Sequence, residues 1–231
     1  MLKTIILCGG KGTRLRPLTE SVPKTLVNLN GKPCLHHIIE SYIRRGYRRF
    51  ILCIGYRGDM IVDFIQKQPF DIGVEFSNAG EEASILERIY QAKSLMGERA
   101  FIAYGDTLID VNLGKMLSEH LASRTSVTLT TAAVKSPFGL VTVDEDKWIL
   151  SFEEKPIQPC YVGHMLMERD VLDEVEPDLL RRPDGDGLVL LFQRLASQKR
   201  IKVYPYVGPQ ITFNTQQELD HAERDLVTFF T

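Results

Sequence analysis

The sequence predicts an α/β fold: a mixed, mostly parallel sheet with helices on both faces and a β-rich insertion in the second half. Three observations carry this expectation. Short apolar runs at 2–8, 50–54 and 100–104 each end at a glycine, Gly9, Gly55 or Gly105, as strands buried on both faces do. Amphipathic stretches separate them, so the strands come in βαβ units. Beyond about residue 125 the β-rich runs crowd together, leaving no room for the long crossovers that parallel pairing needs.

The elements follow in order. Residues 2–8 form the first strand. Apolar residues at 35, 38, 39, 42 and 43 predict a helix over 34–45, closed by Gly46. The second strand is 50–54, followed by a short helix at 59–66 and a short strand at 74–76. Apolar positions 85, 86, 89, 92, 95 and 96 predict a helix over 85–96, ended by Gly97, and strand 100–104 stops at Gly105-Asp106. Strands at 126–134, 139–144, 148–152 and 161–167 are expected as antiparallel additions to the sheet. A helix at 187–198, a strand at 201–206 and a final helix at 215–229 complete the pattern. No linker, repeat or low-complexity tract divides the chain, so one domain over 1–231 is expected.

Composition narrows the function. The chain has 231 residues, 44% hydrophobic and 25% charged, enough to bury about 70% of its unfolded surface without staples. Its 28 basic and 30 acidic residues give a net charge of −2, which speaks against nucleic acid or anionic lipid as partner. Cys8, Cys34, Cys53 and Cys160 form no CxxC pair, so a zinc or redox motif is not expected and free thiols in a reducing cytoplasm are. The apolar start is too short for a signal peptide, and no run nears the ~18 apolar residues of a membrane span. A soluble cytoplasmic protein is expected.

The most informative stretch is Leu7-Cys8-Gly9-Gly10-Lys11-Gly12-Thr13-Arg14-Leu15-Arg16-Pro17-Leu18-Thr19, followed by Pro23-Lys24. A strand entering such a loop presents backbone N–H groups that no side chain screens, suited to phosphate. Lys11, Arg14, Arg16 and Lys24 add positive charge where open α/β sheets bind ligands. It is not a P-loop, since Thr13-Arg14 replaces the Lys-Ser/Thr ending. Nor is it the dinucleotide fingerprint, whose third glycine would fall on Leu15, which argues against a nicotinamide dehydrogenase. An ordinary glycine-bearing turn with solvated cations is the plainer alternative.

The segment GGKGTRLRPLT…PK closely resembles the signature of the sugar-1-phosphate nucleotidyltransferases. The resemblance continues through Tyr104-Gly105-Asp106, Phe138-Gly139, Phe152-Glu153-Glu154-Lys155-Pro156 and Asn214-Thr215…Glu218-Leu219…Ala222. It implies a Rossmann-like fold, with a nucleotide-binding half at 1–125 and a sugar-binding half plus the last helix at 126–231. The implied reaction is attack of a sugar 1-phosphate on the α-phosphorus of a nucleoside triphosphate, with Mg²⁺ present, giving a nucleoside-diphosphate sugar and pyrophosphate. The nucleophile comes from the substrate, so no Ser, Cys or His nucleophile is required.

The resemblance also implies roles. Leu7, Gly9, Gly10, Gly12, Thr13, Arg14, Lys24, Arg88 and Gly105 would surround the nucleotide. Arg14 would meet the leaving phosphates, Lys24 the α-phosphate, and Lys155 the sugar phosphate with Gly139, Glu154 and Gly163. Asp106 and Asn214 would hold the metal, although either could instead cap a following helix. The family's base loop is replaced here by Glu81-Glu82-Ala83-Ser84-Ile85-Leu86-Glu87-Arg88. That stretch is nearest in pattern to the glucose-1-phosphate cytidylyltransferases, and the heptose-1-phosphate guanylyltransferases share Ser151-Phe152-Glu153-Glu154-Lys155. CTP is therefore the expected triphosphate, with GTP next. Cys160-Tyr161-Val162-Gly163-His164 lacks the usual acceptor-site asparagine. A non-sugar phosphorylated acceptor such as phosphocholine, or a degenerate nucleotide-sugar-binding module, stands as the alternative.

Other residues read as structural. Adjacent His36 and His37 point about 100° apart on a helix and are expected to pack rather than bind metal. Trp148 is expected in the core. Arg44, Arg45, Arg48 and Arg49 are expected as a solvated helix end. The resemblance makes Asp184 and Asp186 candidates for the acidic residue that contacts the sugar, with an ordinary Asp-Gly turn the favoured reading. A homo-oligomer is allowed, but no residue pattern marks its interface.

Overall fold

A computed structural model of the protein describes residues 2–229. Its strands and helices, in chain order, begin with β1 (Lys3–Leu7), the short β2 (Asn28–Leu29) and β3 (Lys32–Pro33), and α1 (Cys34–Arg44). Then come β4 (Arg49–Ile54), α2 (Gly58–Lys67), β5 (Gly73–Asn78), α3 (Ile85–Gln91), β6 (Arg99–Tyr104) and β7 (Thr107–Ile109). The second half holds α4 (Leu113–Ser123), β8 (Val127–Lys135), β9 (Leu140–Val143), β10 (Ile149–Glu153) and β11 (Ile157–Glu168). It closes with α5 (Pro177–Leu180), α6 (Asp186–Ser197), β12 (Ile201–Tyr206), β13 (Gln210–Thr212) and α7 (Gln216–Phe229).

The seven-stranded central sheet runs β12-β8-β11-β6-β1-β4-β5. β6, β1, β4 and β5 are mutually parallel, whereas β11 is antiparallel to both β6 and β8. The strand alternation sorts two cores onto the two faces. Ile6, Leu52, Phe101 and Leu166 pack with α1, α4 and α7; Ile5, Ile51, Ile102, Met165 and Met167 pack with α3, α5 and α6. The predicted α/β architecture with helices on both faces is what forms.

Several expectations need correction. β9 and β10 do not extend the sheet; they pair only with each other as a separate two-stranded ribbon. Trp148, expected in the core, leads into that ribbon and is 73% exposed. The helix expected to reach residue 96 ends at Gln91 and tightens into a 3-10 turn at Ala92–Ser94. Helix α4 is not expected from the sequence: Gly114 weakens it locally and the polar His120 shares its buried stripe with Leu113 and Met116; Asn112 caps it by accepting from Lys115 N–H at 3.0 Å. The arginines of the basic cluster are exposed, as expected, and two of them are also paired: Arg45 bonds Asp110 Oδ1 through Nη2 at 2.5 Å, and Arg48 lies 3.5 Å from Asp71. His36 packs on Phe70, ring centroids 4.9 Å apart, and His37 Nε2 meets the Leu29 carbonyl at 2.9 Å.

Candidate active site

The carboxyl ends of β1, β4 and β6 open into a cleft of about 660 Å³. The loop leaving β1 is pinned at several points. Cys8 N–H donates to the Cys53 carbonyl at 2.8 Å, Tyr56 N–H to the Gly9 carbonyl at 3.1 Å, and Thr19 Oγ1 to the Gly12 carbonyl at 2.8 Å. Gly12 has φ +61°, and a Cβ there would stand 3.0 Å from Lys24 Cβ; a side chain would be both strained and crowded. At Gly9 a Cβ would come within 2.1 Å of Arg88 Nη1. The glycines thus let the loop lie flat on what is beneath it.

What lies beneath is Arg88. Its buried guanidinium donates to the Ile54 and Glu81 carbonyls, both at 3.1 Å. One side chain therefore ties the end of β4 to the loop ahead of α3. It lines the cleft as expected, but these hydrogen bonds hold protein backbone.

At the other end, Lys24 is buried and its Nζ lies 2.5 Å from Asp106 Oδ2 and 3.0 Å from Asn214 Oδ1. The Phe213 ring flanks the ammonium, 5.4 Å to centroid. Asp106 follows β6 and leads into β7, so it caps no helix. Asn214 is freed from capping α7 by its neighbours. Thr215 Oγ1 accepts from Glu218 N–H at 3.2 Å, while the Glu218 carboxylate accepts from Asn214 N–H at 2.6 Å, a variant of the capping box. The Asn214 side chain is left to face Lys24.

Among the expected nucleotide-site residues, Leu7, Gly9, Gly10, Gly12, Thr13, Arg14, Lys24, Arg88 and Gly105 all line this one cleft, as do Asp106 and Asn214. Gly139, Glu154, Lys155 and Gly163 do not line it. Lys155 follows β10, with φ +46° and its Nζ 3.9 Å from Glu154 Oε1. Gly139 sits by the Phe152 ring. Gly163 comes nearest in effect: its missing side chain leaves room for Tyr104, which does line the cleft.

Sequence reasoning missed one contact across the mouth: Lys11 is ion-paired with Glu82, joining the glycine loop to the loop before α3. It also missed the lining contributed by Thr25, Glu81 and Tyr104, whereas Asp184, one of the two candidate acidic residues, does line the cleft. The signal for Tyr104 was its place beside Gly105-Asp106; Glu82 had none.

Chemically, the cleft offers unscreened amides, four cations (Lys11, Arg14, Lys24 and the backbone-bound Arg88) and two convergent oxygens. Burial, reinforced by Cys53, Cys34 and Asp106, pushes the Cys8 thiol well up, so it stays protonated and is no nucleophile. Asp106 Oδ2 and Asn214 Oδ1 already share one cation, the Lys24 ammonium. That hard-oxygen pair fits Mg²⁺, which takes one or two protein ligands and fills its shell with phosphate and water.

Comparison with known proteins bears on this cleft. The nucleotidyl transferase family pattern matches residues 3–178. The chain is 30% identical to a Bacillus subtilis protein named "Probable glucose-1-phosphate cytidylyltransferase", over 94% of this chain and 93% of that one. It is 31% identical to D-glycero-alpha-D-manno-heptose 1-phosphate guanylyltransferase of Campylobacter jejuni, over 75% and 79% of the two chains. The solved structure of HddC from Yersinia pseudotuberculosis, complexed with GMP-PN, superposes with a TM-score of 0.74 at 21% identity, covering 98% of this chain and all of that one. This last likeness concerns the fold.

Proposed function

This chain belongs to the nucleotidyl transferase family, in the company of sugar-1-phosphate nucleotidyltransferases, and on that footing we propose a Mg²⁺-dependent transfer of the nucleotidyl group of CTP, with GTP second, to a hexose or heptose 1-phosphate. The observation that carries the reading is the convergence of Asp106, Asn214 and the glycine loop on Lys24. A phosphate oxygen of the acceptor attacks the α-phosphorus, and pyrophosphate departs.

In this reading the loop amides from Gly9 to Thr13 hold the triphosphate and Lys24 meets the charge growing on the α-phosphate. Arg14, which has no ion-pair partner among the described residues, takes the leaving phosphates. Lys155, with Glu154, Gly139 and Gly163, receives the sugar phosphate. Asp106 and Asn214 hold Mg²⁺, whose contribution is to neutralise phosphate charge. Fixed charges of this kind stabilise a polyanionic transition state without reorganising when charge develops. Residues 1–125 form the nucleotide half and 126–231 the sugar half of one catalytic domain.

Support for CTP comes from the pattern around Arg88 and from the cytidylyltransferase kinship. GTP has its own support in the carboxylates of Glu81, Glu82 and Asp184 along the cleft, since guanine offers adjacent N–H donors that a carboxylate accepts as a pair. The test is pyrophosphate release with CTP, GTP, UTP, ATP and dTTP, each crossed with hexose and heptose 1-phosphates and phosphocholine. Release with CTP or GTP and a sugar 1-phosphate is expected, and Asp106→Ala should lower it by about 10²-fold or more. Release only with phosphocholine would replace the acceptor. Silence throughout, alongside tight nucleotide-sugar binding, would make the protein a binding module.

A further inference from the structure

Tyr56 does not line the cleft, yet it grips the glycine loop at both ends. It lies in the turn between β4 and α2, and its N–H donates to the Gly9 carbonyl at 3.1 Å. A Cβ on the preceding Gly55 would stand 2.9 Å from that same oxygen, so bare backbone is what permits the approach. The Tyr56 hydroxyl reaches the far end of the loop. It donates to the Thr19 carbonyl at 3.0 Å, with the Glu20 carbonyl a second acceptor at 3.3 Å. Arg57 completes the grip, its Nε–H donating to the Tyr56 hydroxyl at 3.0 Å and its Nη2 to the Glu20 carbonyl at 2.5 Å. The Arg57 backbone has φ +49° and ψ +38°, a left-handed conformation disfavoured for a residue with a Cβ. The turn is therefore held against a local cost.

Thr19 passes the constraint inward. The Gly12 carbonyl accepts both the buried Thr19 hydroxyl, at 2.8 Å, and the Leu15 N–H, at 2.9 Å, which fills its two lone-pair sites. A trans peptide is planar, so its N–H points opposite to its C=O. Holding the Gly12 carbonyl on Thr19 thus turns the Thr13 N–H to the other side. Among the described residues, no protein group accepts from the N–H of Gly10, Lys11, Gly12 or Thr13.

We propose that Tyr56 is a positioning residue for the triphosphate, an inference that rests on the reading of this loop as the triphosphate cradle. Through Thr19 its hydroxyl holds the Gly12–Thr13 peptide in the orientation that leaves the Thr13 N–H free to donate to phosphate. A loop released from the grip samples other orientations, and apparent affinity falls by the fraction of time it is competent. Saturating triphosphate draws the loop back to the competent state. The loss therefore falls on the KM for triphosphate and spares both kcat and the KM for the acceptor.

Tyr56→Phe keeps the ring and deletes the hydroxyl. In pyrophosphate-release assays with CTP or GTP, the triphosphate KM should rise about tenfold, the scale of one net hydrogen bond. The sugar 1-phosphate KM and kcat should stay within about twofold of wild type. Calorimetric titration with the same triphosphate should show the matching loss of affinity without turnover. Thr19→Val removes the next link at nearly constant shape and should raise the same KM. Because the two residues act in series, the double variant should cost no more than the worse single one. An active Tyr56→Phe enzyme with the wild-type triphosphate KM overturns the proposal. So does a loss confined to kcat, which is what a smaller folded fraction would give, and so do single effects that multiply in the double variant. A wild-type protein that neither binds nor turns over any triphosphate would instead overturn the reading of the cleft, and the proposal with it.

Discussion

His164 sits inside the sheet, its Nδ1 2.8 Å from Thr130 Oγ1, its Nε2 2.8 Å from the Tyr42 hydroxyl, its ring stacked on Phe101. Burial pushes its pKa down to about 3, against the ~6.5 of a free histidine. The unfolded chain therefore takes up a proton that the folded chain refuses. The resulting stability is complete above about pH 6.5 and drains away as pH falls toward 3. At pH 5 the loss should reach about 2 kcal/mol, with His120, whose pKa burial also lowers, adding in the same direction. Urea midpoints at pH 7 and pH 5 test this: His164→Gln should lose clearly less stability between the two than wild type, and an equal loss would remove His164 as the cause. The residue scale is also where sequence reading worked best and failed most plainly. Lys24 and Asp106 could be picked out because each adjoins a distinctive local motif. The partnership of Lys11 with Glu82 joins positions 71 apart in sequence, and nothing local announces it.

At the scale of elements, the start of α7 does two jobs. Thr215 Oγ1 accepts from the Glu218 N–H of its first turn and the Glu218 carboxylate from the Asn214 N–H, which leaves the Asn214 side chain to face Lys24. Thr215→Ala should cost about 1 kcal/mol of stability, read as a lower urea midpoint. It should also lower nucleotidyl transfer, because the turn that aims Asn214 loses its anchor. An unchanged midpoint would mean that the cap contributes nothing. The strands with continuous apolar runs were legible because burial on both faces leaves an unmistakable pattern. The ribbon misled for the opposite reason: alternation in β9 and β10 looks like a strand with one buried face, and sequence cannot say whether that face meets its own sheet or something else. Trp148 misled in the same way, since a large apolar residue beside a strand is ordinarily core.

At the scale of the whole molecule, the cleft lies where the parallel strands β6, β1 and β4 end, beside the point at which β11 turns the sheet antiparallel. Four cations and two acidic loops meet there in a chain whose net charge is only −2. A triphosphate that satisfies them stabilises the folded state by mass action, about 2.7 kcal/mol at a hundred times its dissociation constant. For a chain of this size that corresponds to a rise of roughly 5–10 °C in melting temperature. CTP or GTP with Mg²⁺ should produce such a rise in a thermal scan, and a melting temperature that ignores every triphosphate would separate the cleft from nucleotide.

Gly9, Gly55 and Arg88 carry a further consequence. The missing side chains of both glycines face the same guanidinium, with added carbons falling 2.1 and 2.4 Å from Arg88 Nη1. The three positions therefore form one unit of inheritance. A shortened residue 88 would leave a hollow, yet a side chain at position 9 would still stand 2.9 Å from the Ile54 carbonyl carbon and one at position 55 2.7 Å from the Gly80 carbonyl oxygen. Shrinking the arginine alone therefore opens no route to a larger residue at either glycine, and the corner can change only together with the backbone around it.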